Sequence, residues 1–332
     1  MNEIFPWNLS KWQHVIQMWR DNHLPHALLF CGVAGMGKSA FVQQFAKTLL
    51  CEKPQTDGQA CGNCKSCHLL KSGNHPDLLQ IEPVEQGKKI QIAQIRQAIQ
   101  FCTLTAHYAH QQVVIINPAE AMNSNAANSV LKLLEEPPAK TLILLVSHQP
   151  QTLLATVRSR CQRLDFNHFD RVVAQTWLQQ QISTQQNARL LLNLSNHAPL
   201  AALTLVTSEA MTARSRLFKS LIQLLTQNAE PIYIAEQWND HEIKQTLPWM
   251  LSWTMDLIRI QITGQTRHIV NEDWKEVLQR LNNQFTLPNL FKILDLQTET
   301  YKLITYTSSI KPQSLLESIA MTWLEFNVNK RR

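Results

Sequence analysis

The chain has 332 residues, 44% of them hydrophobic and 17% charged, and a formal net charge of +6. That length suggests two or three domains, and the balance describes a soluble globular protein with enough apolar side chains for real cores. The mild charge permits contact with DNA or an acidic partner without arguing for either. Met1 to Trp12 carries no basic stretch followed by an apolar core, and no apolar run reaches membrane-spanning length, so a cytoplasmic protein is expected.

Leu9 to Trp19 places Trp12, Val15, Ile16 and Trp19 on one helical face, a core stripe with Ser10 as candidate cap. Leu24-Pro25-His26 breaks the chain, and the apolar run Ala27 to Cys31 predicts a buried strand. Gly32-Val33-Ala34-Gly35-Met36-Gly37-Lys38-Ser39 follows, and Lys38 to Leu50 has apolar residues at helical spacing. Strand, glycine-rich loop and helix are the context that G-x-x-x-x-G-K-[ST] requires. Gly32, Gly35 and Gly37 allow positive φ angles that turn successive N–H groups toward one point. Lys38 adds a charge for the outer phosphates of ATP or ADP, and Ser39 a hydroxyl for Mg²⁺. The sequence predicts a phosphate loop; whether it still serves an ATPase depends on the rest of the chain.

Cys51, Cys61, Cys64 and Cys67 come next, as two C-x-x-C steps sharing Cys64 with a fourth cysteine upstream. Pro54, Asp57 and Gly58 supply a return turn, and Gly62 a tight knuckle. Four thiolates close a tetrahedral set with no open position, so a Zn²⁺ bound there is expected to be structural. His68 and His75 are alternative ligands, and reduced buried cysteines are the bland alternative. Cys31, Cys102 and Cys161 are expected in the core.

Leu78 to Ile81, Gln112 to Ile116, Thr141 to Ser147 and Gln162 to Phe166 predict four further strands. Helical patterns lie between them at Ile92 to Cys102 and Asn128 to Glu135, the latter stopped by Pro137-Pro138. This alternation predicts an α/β domain with a parallel sheet over residues 1–166, carrying the cysteine insert at 51–67. Three short helical patterns over 167–207 predict a small helical lid domain, and the longer ones over 208–332, with Trp249, Trp253, Trp274 and Trp323, an all-helical domain. Lys330-Arg331-Arg332 is expected to be a solvated tail.

A working ATPase of this type needs an acidic residue at the end of a neighbouring strand, usually followed by a glutamate that orients water. Here Val113 to Ile116 ends in Asn117-Pro118, a neutral acceptor and a residue that polarises nothing. Glu120 lies two residues further on, where a surface or capping carboxylate is the simpler expectation. The chain is therefore expected to bind nucleotide and to hydrolyse it poorly. Thr156-Val157-Arg158-Ser159-Arg160-Cys161 precedes the last strand. An ordinary surface arginine pair is one reading of it. The other is that Arg160 faces the nucleotide of another subunit.

Several segments together resemble one family, the delta-prime subunits of the bacterial DNA polymerase III clamp loader. They are Leu24 to Phe30, the four cysteines, Asn74-His75-Pro76-Asp77, Pro118 to Asn123, Leu131 to Pro138 and Ser159-Arg160-Cys161. The resemblance implies an AAA+ P-loop module, a lid and a helical collar that serves oligomerisation. It implies a five-membered ring with ATP-hydrolysing gamma or tau subunits and one delta subunit. That ring loads the sliding clamp onto primed DNA, and the chain would belong to a DNA-directed DNA polymerase holoenzyme with no strong catalysis of its own. Arg160 would be an arginine finger offered in trans, and the protein would join the nucleoid during replication. Some family members have lost the phosphate-loop lysine and serine, whereas Lys38 and Ser39 are present here. Asn196 to Ala202 lacks the arginine with which active subunits sense the γ-phosphate. The alternatives are a hydrolysing gamma-type subunit, disfavoured by Asn117-Pro118, and a nucleotide kinase with a zinc-stapled lid, disfavoured by the tight cysteine spacing.

Overall fold

The computed structural model describes residues 4–85, 87–106, 108, 111–226, 229–239, 243–306 and 311–327. The C-terminal basic tripeptide lies outside them. Contacts divide the chain into two compact units: Met1–Gln181 with Ala198–Ala201, and Ile182–His197 with Ala202–Arg332.

The first unit is built on five parallel strands: β1 (Ala27–Cys31), β2 (Leu78–Ile81), β3 (Gln112–Ile116), β4 (Thr141–Ser147) and β5 (Gln162–Asp165), in the order β2-β3-β4-β1-β5. Every residue of β1, β3 and β4 is buried. A parallel sheet has both faces covered, which is why these strands are continuous apolar runs and not alternating ones. Leu28, Phe30, Val113, Ile115, Leu144 and Val146 face one core, with Trp12, Val15 and Ile16 of α1 (Leu9–Arg20) and Phe41 and Phe45 of α2 (Lys38–Leu50). Leu29, Val114, Ile116, Ile143 and Leu145 face the other, under α3 (Ile92–Thr103) and α4 (Ser124–Glu135). Each such side chain contributes about 1.5–3 kcal/mol by leaving water.

The helix after β3 starts at Ser124, earlier than its apolar pattern indicates. The Asn123 side chain caps it by accepting from the Ala126 N–H. Ser10 is not the cap of α1. That helix continues from a 3-10 turn over Pro6–Asn8, and the Asn8 side chain is spent on the phosphate loop. A short helix, α5 (Ala155–Ser159), leads into β5.

The segment 167–207 is shared between the units, with α6 (Arg171–Gln181) in the first and α7 (Ala188–Leu194) in the second. The helix Pro199–Thr207 is divided between the units, and the other α-helices described in the second unit are α8 (Ala210–Thr226), α9 (Pro231–Asn239), α10 (Ile243–Thr263), α11 (Lys275–Asn282), α12 (Leu287–Tyr306) and α13 (Pro312–Glu325). Trp238, Trp253 and Trp323 are fully buried among Leu217, Phe218 and Leu257. Arg214 is also fully buried, and its Nη1 and Nη2 donate to Asp273 and Asn271 at 2.6 and 2.7 Å. No single helix among the described residues is long and apolar enough to cross a membrane.

Candidate nucleotide and metal sites

The phosphate loop leaves the carboxyl end of β1, and β3 and β4 end beside it. Ligands of open α/β sheets gather at this edge. Gly35 and Gly37 have φ of 84° and 81°, and neither has room for a side chain. A Cβ on Gly35 would sit 2.6 Å from the Ala201 nitrogen, and one on Gly37 2.6 Å from the Phe5 ring. The loop is also tied from outside. Trp7 Nε1 and Asn8 Nδ2 donate to the Met36 carbonyl at 3.1 and 2.9 Å, and the Leu200 N–H donates to the Gly35 carbonyl at 3.1 Å.

Lys38 is buried, and its Nζ donates to the carbonyls of Gly32 at 2.5 Å and Val33 at 2.8 Å. Burial lowers its pKa to about 8, against an opposing pull from the Glu120 carboxylate. Ser39 Oγ donates to Asn117 Oδ1 at 3.4 Å, which brings the loop hydroxyl and the end of β3 together.

Glu120 differs from its sequence expectation. It is half-buried, its Oε1 accepts from the His148 N–H at 2.8 Å, and it lies close enough to act electrostatically on Lys38. Its neighbour His148, at the end of β4, is held below the usual imidazole range by burial and by the Lys38 charge. The 3-10 turn Ala119–Ala121 carries the carboxylate back toward the loop, a fold-back that counting from the strand end does not reveal.

Cys51 closes α2, and Cys64 and Cys67 begin a seven-residue helix, Lys65–Lys71, that sequence periodicity missed. The four thiols of Cys51, Cys61, Cys64 and Cys67 lie within 4.8 Å of one another. Cys51–Cys67 is 3.6 Å, and Cys51–Cys64 and Cys61–Cys67 are both 3.9 Å. A tetrahedron with bonds of about 2.3 Å to sulfur has edges of about 3.8 Å, so the donor set fits a zinc-sized thiophilic ion. The Cys61 N–H points at the Cys51 sulfur and the Cys67 N–H at the Cys64 sulfur, as thiolates require. The N–H groups of Asn63 and Cys64 pull the Cys61 thiol down to about 6, whereas burial pushes Cys51 and Cys67 up.

His75 is not placed as a ligand. Its Nδ1 accepts from the Asp77 N–H, and its Nε2 meets Ser66 Oγ at 2.8 Å, bracing the short helix. Cys31, Cys102 and Cys161 are buried in the core, away from the cluster.

Arg160 follows α5 at the side of the sheet. Its guanidinium meets Glu135 at 2.6 Å and donates to the Thr156 carbonyl at 3.1 Å, yet the side chain remains 36% exposed. The pair joins two segments that sequence spacing does not connect.

Comparison with known proteins places this arrangement. The family profile described as "DNA polymerase III, delta subunit" matches residues 7–170, and a second profile, for the carboxy-terminal part of the delta subunit, matches 208–325. The chain is 34% identical to DNA polymerase III subunit delta' of Pseudomonas aeruginosa over 97% of its length and 98% of that protein. The chain belongs to the delta-prime family of DNA polymerase III subunits. It is 30% identical to the Escherichia coli subunit delta', over 87% of this chain and 86% of that one. It is also 27% identical to DNA polymerase III subunit tau/gamma of Haemophilus influenzae, over 69% of this chain and 34% of that protein. The delta-prime family assignment and the observed sheet agree with an AAA+ P-loop fold carrying a helical C-terminal domain.

Proposed function

We propose that the chain is a clamp-loader subunit that hydrolyses little nucleotide itself and lends Arg160 to a neighbouring tau/gamma ATP site. The observation that carries this reading is the pairing of an intact phosphate loop with a β3 that ends in Asn117-Pro118, while Arg160, at the amino end of β5, is braced by Glu135 and still accessible. Asn117 accepts a hydrogen bond but brings no charge to a metal-bound nucleotide, and Pro118 orients no water. Membership of the delta-prime family supports assembly with tau/gamma and delta in a five-membered ring that places a sliding clamp on primed DNA in the cytoplasm, at the nucleoid. In that assembly residues 1–166 form the AAA+ domain, 167–207 the lid and 208–332 the collar. The four cysteines hold a structural Zn²⁺. Gly32, Gly35, Gly37, Lys38 and Ser39 take ATP or ADP weakly. Mixing the chain with tau/gamma and delta is expected to yield one stable complex on size exclusion, and separate elution contradicts the assignment.

The loop makes a pH prediction of its own. Phosphate binding needs the Lys38 ammonium, which burial holds at about 8. The charge is present below that value and is lost as pH rises through it in the free protein, so the bound state must recover a proton. Affinity for ADP therefore falls between pH 7 and pH 9, approaching about tenfold per unit at the alkaline end. Titration calorimetry at both values checks this. A flat profile means that Lys38 is not the phosphate ligand.

A further inference from the structure

We propose that Glu120, and not the neutral residue after β3, is the carboxylate that holds a hydrated divalent cation at the phosphate loop. The site would then take a nucleoside polyphosphate as its magnesium complex. This rests on the reading that the loop takes a nucleotide.

The first observation is an imbalance within Glu120 itself. Its Oε1 is held by the His148 N–H at 2.8 Å, whereas its Oε2 is buried and has no hydrogen-bond partner among the described residues. A buried carboxylate oxygen without a donor is costly, and native structures rarely leave one so. The second observation is independent of that residue. Ser147 Oγ and His148 Nδ1, at the end of β4, are also buried and unpartnered among the described residues. Three such atoms from two neighbouring strand ends lie at the edge where the loop begins. The third is placement: Ser39 Oγ reaches Asn117, only three residues before Glu120, and the carboxylate acts on Lys38.

Magnesium keeps several of its waters and is usually held through one or two carboxylates and substrate phosphates. Ser39 Oγ and a phosphate oxygen would take direct positions. Metal-bound waters would donate to Glu120 Oε2 and Asn117 Oδ1. Without the cation the same carboxylate faces a polyphosphate anion and repels it. Glu120 therefore has opposite effects on the two forms of the ligand.

The test compares binding of ADP and ATP in excess Mg²⁺ and in EDTA, for the wild type, Glu120→Gln and Lys38→Ala. Magnesium is expected to tighten wild-type binding by about tenfold or more. Glu120→Gln is expected to bring that ratio close to one, by weakening the magnesium complex and tightening the metal-free form. Mn²⁺ substituted for Mg²⁺ gives a second readout, a nucleotide-dependent paramagnetic signal reduced in Glu120→Gln. Glu120→Asp, which keeps the charge, retains part of the ratio and guards against a folding defect in the amide variant. A wild-type ratio in Glu120→Gln overturns the proposal and leaves an ordered water alone on Oε2. Metal-independent binding that Lys38→Ala abolishes overturns it while the nucleotide reading stands. No binding in either medium overturns both.

Discussion

In a ring reconstituted with tau/gamma and delta subunits, Arg160→Ala is expected to slow hydrolysis at the one neighbouring site by about 10³–10⁵, the usual worth of an arginine finger. The same change costs the chain little. Arg160 is 36% exposed, and its contact with the half-exposed Glu135 is a surface ion pair, typically worth about 0–1 kcal/mol. Thermal unfolding and complex formation therefore stay near wild type while clamp loading falls. Total ATPase falls only partly, because other sites keep their own arginines. Arg158→Ala, two residues earlier and in the last turn of α5, is the control and has the milder effect. Wild-type loading by the Arg160→Ala ring would leave an ordinary surface arginine. Glu135→Ala separates positioning from charge: it removes the brace but not the guanidinium, so its defect lies between the two.

The second large effect concerns the metal. Protein purified from zinc-replete cells is expected to hold about one equivalent of Zn²⁺ after dialysis, because the four thiols already stand at tetrahedral spacing. Cys64→Ser removes both a ligand and the sulfur that caps the Lys65–Lys71 helix. The metal is lost, and the amides of that helix lose protection in hydrogen exchange. The sheet is expected to keep its protection, since β1, β3 and β4 are buried along their whole length. Metal-free protein by elemental analysis contradicts the site.

What the sequence revealed, and what it hid, follows from the range of the interactions. The phosphate loop was legible because its requirements are local: glycines where φ must be positive, a lysine and a serine at the helix start. The cysteines were legible for the same reason, and the buried strands because a two-sided core demands unbroken apolar runs. Glu120 was misread because its environment comes from His148, 28 residues away, and from Lys38. The Ser10 cap failed because Asn8 and a 3-10 turn already start the helix. The Lys65–Lys71 helix has too few apolar positions to show a period, and the thiol cap that starts it is not a usual signal. The Glu135–Arg160 brace joins a helix end to a later turn, which no local pattern records.

Steady-state phosphate release tests the central claim most directly, measured for the chain alone, for tau/gamma with delta, and for all three together with clamp and primed DNA. The account predicts negligible release by the chain alone and a clear rise when it completes the ring. The rise would belong to tau/gamma, with this chain supplying an arginine and no turnover. Turnover by the isolated chain large enough to explain the whole rise would contradict it, and so would a ring whose rate does not change when the chain is added.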